Sequence, residues 1–118
     1  MMQNSKSIGK TIAKWSGFVP VDDTELFIND TGGMGIAVIY LNGQFATQQY
    51  WMKVISELGS EFRHITFDER GRGKKSKISN DYSFETCVKD VDTVLSARSL
   101  KSCIIIGWSY GAFIAAHW

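Results

Sequence analysis

Strand-like and helix-like segments alternate over residues 36–118, and this order constrains the fold more than any other feature of the sequence. The strand-like segments are residues 36–41, 64–67 and 103–106. Short, largely apolar runs of this kind are typical of strands that are covered on both faces. A helix between successive strands returns the chain to the same end of the sheet, so the strands run parallel. We therefore expect an α/β fold with an open, mostly parallel sheet and helices on both of its faces.

The helices between these strands are predicted from apolar residues that recur with the helical period. In the first helix, Thr47 is the predicted N-cap and Gly59 marks the predicted end. The second helix is predicted to begin near Ser83, and a third is predicted to begin at Ser109. The apolar faces of the first two helices consist of Trp51, Val54, Ile55 and Leu58, and of Phe84, Val88, Val91 and Leu95.

The length and composition of the chain predict one domain. The chain has 118 residues, of which 44% are hydrophobic and 21% are charged, and a typical domain has roughly 100–200 residues. Two more strands are predicted at residues 15–20 and 25–29, after a polar lead-in over residues 1–15 that we expect to be mobile. The single proline and the lack of repeats or low-complexity stretches indicate that the sequence contains no linker.

The charge and the cysteine content argue against several classes of function. The net charge of +1 favours neither nucleic acid nor an anionic membrane as a partner. Cys87 and Cys103 form no CxxC pair, and no His/Cys cluster has metal-ligand spacing, so we expect no metal and no cofactor. No apolar run approaches the roughly 20 residues of a membrane span, and residues 1–14 lack the apolar core of a signal peptide. Free thiols fit a reducing compartment, and we expect a cytoplasmic protein.

The segment Gly107-Trp108-Ser109-Tyr110-Gly111 fits a nucleophile elbow, in which a serine lies on a tight turn between a strand and a helix. The flanking glycines leave room for the neighbouring chain, and the serine side chain is exposed at the end of the strand. The backbone N–H after the serine lies at a helix N-terminus, where it can donate to an oxyanion. A serine between two glycines also occurs in plain turns, but the apolar strand before it and residues 112–116 after it favour the elbow.

Over residues 20–118 the chain resembles the α/β-hydrolase fold superfamily, in its common single-domain branch. Besides residues 107–111, residues 68–76 resemble the family's D-x-R-G-x-G-x-S loop, with one additional residue before the serine. Residues 41–44 lie where the family has His-Gly after a strand, and Asn42 replaces the histidine. The resemblance implies that residues 16–118 are the N-terminal part of one α/β-hydrolase domain whose C-terminal part is absent.

The resemblance also implies roles for individual residues. Ser109 corresponds to the nucleophile, and the backbone N–H groups of Tyr110 and of Gln44, or of Phe45, correspond to the oxyanion hole. The expected substrate is a small molecule with a carboxylic ester, thioester or amide group, which would form an acyl-enzyme. Phe45 and Trp108 are candidates for the substrate pocket, although core packing explains the Trp108 side chain equally well. A serine at this position disfavours the epoxide-hydrolase and dehalogenase branches, which have a carboxylate there.

The basic loop after residue 68 does not match a phosphate-binding motif. A P-loop requires GxxxxGK followed by Ser or Thr, but Asp68 occupies the first glycine position and Lys75 follows Lys74. A dinucleotide motif fails because Ser76 replaces its last glycine. We interpret the five basic residues from Arg70 to Lys77 as a solvated loop face rather than an anion site. The resemblance implies that Asp68 and Arg70 stabilise the loop.

The sequence contains no evident partner for Ser109. A serine nucleophile needs a histidine base and a carboxylate, and the family places both after the serine. His64 lies on a predicted strand and His117 on a predicted helix, where neither is placed to act as the base. We therefore expect this sequence to be the N-terminal half of a larger hydrolase and to be inactive alone. The open sheet edge beside residues 103–106 is the expected site for a complementing C-terminal segment or for self-association.

Two functions remain open at this point. The first is a serine hydrolase that reacts through Ser109. The second is a non-catalytic protein of the same fold that binds a small ligand or a partner chain, since the acid and the base are missing and Asn42 replaces the usual histidine.

Overall fold

The structure is a computed structural model that describes residues 11–72 and 77–118. The described strands are β1 Trp15–Val21, β2 Thr24–Asp30, β3 Ile36–Leu41, β4 Phe62–Asp68 and β5 Ile104–Gly107. The described helices are α1 Met52–Leu58, which follows a 3₁₀ turn at Gln48–Trp51, α2 Phe84–Ala97 and α3 Tyr110–His117. Residues 1–10 of the predicted lead-in, and residues 73–76 of the basic loop, lie outside the described residues.

The five described strands form one sheet in the order β1-β2-β4-β3-β5. β3 pairs in parallel with β4 and β5, whereas β2 pairs antiparallel with both β1 and β4. Four of these strands therefore run in one direction and β2 alone runs in the other. The parallel arrangement predicted for the three strands after residue 36 is confirmed. It places the carboxyl ends of β3, β4 and β5 at one edge of the sheet, where open α/β sheets bind ligands.

Apolar clusters lie on both faces of the sheet, because successive residues of a strand point to opposite faces. The larger cluster joins the sheet to α2 and α3 and includes Ala37, Ile39, Leu41, Val91, Val94 and Ile114. The smaller cluster lies on the other face and consists of Val38, Tyr40 and Trp51, with Ile55 half-buried against it. The prediction of helices on both faces of the sheet is confirmed.

The first helix differs from its prediction at its apolar face. Trp51 is buried, but Val54 is 37% exposed and Leu58 is 40% exposed, because no described element packs over the outer side of α1. Thr47 lies at the predicted N-cap position, but its side chain makes no capping hydrogen bond, and the chain enters through the 3₁₀ turn instead. Gly59 ends the helix with a φ of 79°, as predicted.

The second helix begins where the sequence predicts. The Ser83 hydroxyl accepts a hydrogen bond from the Thr86 backbone N–H at 3.3 Å, which satisfies one free donor of the first turn. Its buried residues include Val91, Val94 and Leu95. None of the helices in the described ranges is long and apolar enough to cross a membrane.

Candidate active site

Ser109 lies in a sharp turn between β5, which ends at Gly107, and α3, which begins at Tyr110. Its φ of 57° and ψ of −117° belong to a region that residues with a side chain rarely adopt. A backbone in such a conformation is strained, and strain of this kind is often found at functional sites. The turn leaves Ser109 exposed at the carboxyl edge of the sheet.

The two glycines of the motif are required by close contacts between backbone segments. A Cβ on Gly107 would lie 2.5 Å from the carbonyl oxygen of Gly111. A Cβ on Gly111 would lie 2.1 Å from the carbonyl oxygen of Leu41 at the end of β3. Both distances are far below van der Waals contact, so only glycine lets α3 approach β5 and β3 this closely.

Two hydrogen-bonding groups at the turn, the Ser109 hydroxyl and the Tyr110 backbone N–H, have no partner among the described residues. Ser109 makes no side-chain capping bond to α3, and its hydroxyl has no partner among the residues that the structure describes. Within the same ranges, the backbone N–H of Tyr110 has no acceptor either. This N–H is at the first position of α3, where the helix dipole favours negative charge.

The loop after β3 lies directly against the elbow. Its turn is closed by a bond from the Ala46 backbone N–H to the Gly43 carbonyl oxygen at 3.0 Å, with Gln44 and Phe45 exposed at its tip. Phe45 has a φ of 65°, and the Gln44 N–H has no acceptor in the described ranges. The Trp108 ring packs on Gly43, where a Cβ would lie 2.4 Å from it. The two segments that would form an oxyanion hole are therefore in contact.

Asn42 is a buried hydrogen-bonding centre at the root of this loop. Its Nδ2 donates to the Phe67 carbonyl oxygen at 2.8 Å, and its Oδ1 accepts from Trp51 Nε1 at 2.7 Å. Nδ2 also lies 3.4 Å from Oε1 of Glu69. These bonds link β3, β4 and the 3₁₀ turn, so Asn42 stabilises the loop. It does so at the position where the α/β-hydrolase superfamily, which the sequence resembles, usually has histidine.

Asp68 and Arg70 stabilise the loops around the site. Asp68 Oδ1 accepts a hydrogen bond from the Gln48 backbone N–H at 3.0 Å, which fixes the start of the 3₁₀ turn. Arg70 is fully buried and donates from two nitrogens to the two carboxylate oxygens of Asp90 on α2, each at 2.8 Å. The interpretation of the basic stretch as a solvated face is therefore wrong for Arg70, because its charge is paired inside the protein.

Glu69 is a residue that the sequence did not single out. It follows the buried end of β4 and is itself half-buried. Burial raises the pKa of its carboxyl to about 8, although the hydrogen bond from Asn42 and the charge of Arg72 oppose this shift. A glutamate in a charged loop gives no local sequence signal of such burial, because its contacts, such as that with Asn42, come from residues distant in the sequence.

The two predicted pocket residues lie in different surroundings. Trp108 lines an open apolar cavity of about 340 Å³ together with Tyr50, Trp51 and Val54. Phe45 does not line this cavity. It is 76% exposed, and the Arg72 guanidinium lies 4.7 Å from the centre of its ring.

The two histidines make structural contacts away from Ser109. His64 is buried, with Nδ1 at 2.7 Å from the Tyr40 hydroxyl and Nε2 at 2.8 Å from the Gly59 carbonyl oxygen. His117 Nδ1 lies 2.9 Å from the Phe113 carbonyl oxygen. Neither histidine is hydrogen-bonded to Ser109 in the described ranges. The described residues also contain no group of His, Cys, Asp and Glu that could hold a metal ion.

A family model described as alpha/beta hydrolase fold matches residues 36–118. Among curated proteins, a proline iminopeptidase of Pestalotiopsis fici is 33% identical over 99 residues, which are 82% of this chain and 32% of that protein. A haloalkane dehalogenase of Mesorhizobium japonicum is 25% identical over 84% of this chain and 32% of its own length. The chain thus spans about a third of the length of these curated relatives.

Solved structures of other proteins have the same fold. A proline iminopeptidase-related protein from Thermus thermophilus superposes with a TM-score of 0.77 at 24% identity, over 90% of this chain and 40% of that one. An epoxide hydrolase from Vigna radiata superposes with a TM-score of 0.77 at 19% identity, over 88% of this chain and 34% of that one.

Proposed function

The chain belongs to the alpha/beta hydrolase fold family, and on this premise we propose that it supplies the nucleophile and the oxyanion hole of a serine hydrolase. The observation behind this proposal is the strained and exposed position of Ser109. Its hydroxyl, and the backbone N–H of Tyr110 that follows it, have no hydrogen-bond partner among the described residues. The proposed substrates are small molecules with a carboxylic ester, thioester or amide group. A cytoplasmic location remains part of the proposal.

In the proposed reaction, Ser109 Oγ attacks the carbonyl carbon of the substrate and the carbonyl oxygen becomes an oxyanion. The backbone N–H groups of Tyr110 and Gln44 donate hydrogen bonds to this oxyanion, and the dipole of α3 favours its charge. The tetrahedral species then expels the alcohol, thiol or amine, which takes up the proton that left Ser109, and an acyl-enzyme remains. Water hydrolyses the acyl-enzyme and restores the serine hydroxyl.

The proton transfers in this scheme require a histidine and a carboxylate. We propose that both belong to the whole protein outside this chain, which spans about a third of its curated relatives. The family order of serine, acid and histidine supports this assignment. We also propose that a further segment or a second copy of the chain completes the sheet beside β5. Among the described strands β5 lies at the edge of the sheet, and its Ile104 is 45% exposed.

A fluorophosphonate probe tests the nucleophile, because it reacts covalently with activated serines. We expect the full-length protein to be labelled at Ser109. The Ser109→Ala variant is expected to lose all labelling, and mass spectrometry of the modified peptide locates the adduct. Ser102→Ala is the matched control, since Ser102 is also exposed but lies at the other end of β5, and it should be labelled like wild type.

Two outcomes would contradict the proposal. A folded wild-type protein without any label at Ser109 is one of them. The other is a ligand whose binding survives Ser109→Ala and which wild type does not turn over. That second result would favour a non-catalytic binding protein of this fold.

A further inference from the structure

Arg72 differs from the other arginines of the sequence in its lack of an acidic partner. Arg63, Arg70 and Arg98 each pair with at least one aspartate carboxylate. The Arg72 guanidinium forms no ion pair and donates no hydrogen bond to another described residue. Every acidic residue of the sequence lies within the described ranges, so none of them pairs with Arg72.

The Arg72 side chain lies against the loop that contains the proposed oxyanion donor Gln44. Its guanidinium is over the Phe45 ring, 4.7 Å from the ring centre, and Phe45 directly follows Gln44. The attraction between a cation and an aromatic ring uses the face of the ring, so the N–H donors of the guanidinium remain for other partners. The half-buried Arg72 has no unpartnered side-chain nitrogen that is sealed from solvent, so a ligand can reach these donors.

The backbone around Arg72 is fixed by hydrogen bonds within its loop. The Arg72 N–H donates to the Glu69 carbonyl oxygen at 2.9 Å, and the Gly71 N–H donates to the Lys77 carbonyl oxygen at 2.9 Å. Gly71 has a φ of 73°, and a Cβ there would lie 2.5 Å from the Tyr82 hydroxyl oxygen. A side chain that is held at its backbone and at its guanidinium loses less conformational entropy on binding a ligand than an unrestrained one.

The carboxyl group beside Arg72 does not cancel its charge near pH 7. Burial raises the pKa of Glu69 to about 8, and the charge of Arg72 opposes this shift. Glu69 is therefore mainly neutral at pH 7. An anion that approaches the loop beside Phe45 thus meets a positive charge that no ion pair neutralises.

We propose that Arg72 binds a carboxylate or phosphate group of the substrate, so that the protein acts on small acyl compounds with a second, negatively charged group. The inference rests on the proposed function and deepens it by naming a substrate class. The planar guanidinium matches both kinds of oxyanion, because each can accept two parallel hydrogen bonds from it. For Arg72, a role in substrate specificity thereby replaces the interpretation of the basic stretch as a solvated face.

The first experiment measures kcat/KM of the full-length protein for nitrophenyl esters that differ only in a terminal group. Monoesters of succinic, glutaric and adipic acid carry a carboxylate at increasing distances from the ester. Each is compared with an ester of the same length that ends in a neutral methyl ketone, and with one that ends in a phosphate. All rates are corrected for hydrolysis in the absence of protein.

We expect wild type to prefer a charged ester over its neutral counterpart by about tenfold at the best chain length, the effect of one hydrogen bond to a charged group. In Arg72→Gln this ratio should fall to about 1, because the glutamine amide carries no charge. Arg72→Lys should retain part of the preference, since lysine keeps the charge but lacks the planar fork.

Lys77→Met is the matched control, because it removes another cation of the same loop that already pairs with Glu25. It should leave the ratio at the wild-type value. Equal ratios in wild type and Arg72→Gln would overturn the proposal. An equal fall in Lys77→Met would overturn it too, because the preference would then come from the overall charge of the loop.

The second experiment detects anion binding without turnover. It follows the Arg72 Nε–H resonance by NMR during titration with sodium glutarate or inorganic phosphate, and Arg72→Gln assigns the signal. Arg98 is the internal control, since its Nε already donates to Asp30 Oδ2 at 2.7 Å, and Arg98→Gln assigns its signal. We expect a saturable shift at Arg72 and a constant resonance at Arg98. Saturation by only one of the two anions would identify which group the site binds.

Two NMR results would overturn the proposal: equal shifts at Arg72 and Arg98, or a shift at Arg72 that does not saturate with either anion. The absence of any turnover and of any fluorophosphonate label would overturn the proposed function instead. The NMR titration would then decide by itself whether Arg72 binds an anion.

Discussion

Gly111→Ala is expected to destabilise the chain by about 3 kcal/mol, the upper end of the usual cost of overpacking. The added Cβ would lie 2.1 Å from the Leu41 carbonyl oxygen and 2.8 Å from that of Asn42. Both are backbone atoms at the end of a central strand, so they cannot rotate away as a side chain could. This destabilisation is opposite to the usual effect, because alanine in a helix is normally more stable than glycine, by about 1 kcal/mol.

Urea unfolding of wild type and Gly111→Ala measures this effect as a lower midpoint at an unchanged slope. Gly33→Ala is the control: a Cβ there meets no atom within 4 Å, although the φ of 95° disfavours a side chain. We expect Gly33→Ala to cost about 1 kcal/mol, the range of an ordinary glycine effect. Equal stabilities of Gly111→Ala and wild type would refute the proposed steric role.

The elbow and the parallel strands could be predicted because their signals are local in the sequence. Residues 103–106 form an apolar run, and the glycines at 107 and 111 flank a serine at the spacing that the turn requires. The run does form β5, but the expectation of a buried strand is wrong, because no residue of β5 is fully buried among the described residues. The contact of Gly111 with Leu41 joins residues 70 positions apart (111 minus 41). The motif predicts that position 111 must be small, but only the fold shows that the neighbouring atom is the Leu41 carbonyl oxygen.

The helical period identifies the residues that share a face but not what covers that face. Trp51, which ends the 3₁₀ turn before α1, is buried against β3, whereas Val54 and Leu58 on α1 are 37% and 40% exposed. The roles of Asn42 and Glu69 could not be predicted from the sequence, since they arise from hydrogen bonds between three separate segments. Polar residues in loops have no periodicity from which such contacts could be inferred.

Arg70→Met is expected to destabilise the protein by about 3–5 kcal/mol, because it leaves a buried charge on Asp90 without its partner. Arg70 is fully buried, and besides its two bonds to Asp90 it donates to Ser79 Oγ and to the Asp81 carbonyl oxygen. Burial already raises the pKa of Asp90, and Arg70 opposes that rise. Without Arg70 the pKa of Asp90 rises further above its unfolded value.

The raised pKa of Asp90 determines how the destabilisation caused by Arg70→Met depends on pH. The folded variant binds more protons at Asp90 than the unfolded chain does, so its stability falls as the pH rises above the unfolded pKa. The difference from wild type should therefore shrink on acidification from pH 7 towards about pH 4, where Asp90 of the variant becomes neutral. Urea unfolding at several pH values measures this trend, and a loss that is equal at all pH values would contradict it.

Two further variants separate the buried charge from a general loss of ion pairing. Lys77→Met removes an exposed pair, in which Nζ lies 3.1 Å from Oε1 of Glu25 and the lysine side chain is 67% exposed. Its cost should be below about 1 kcal/mol, since solvent screens such pairs. The double variant Arg70→Met with Asp90→Leu should recover a large part of the stability, because it removes the unpaired charge as well as its partner. If the double variant is no more stable than Arg70→Met, the loss comes from the bonds of Arg70 to Asp22, Ser79 and Asp81 instead.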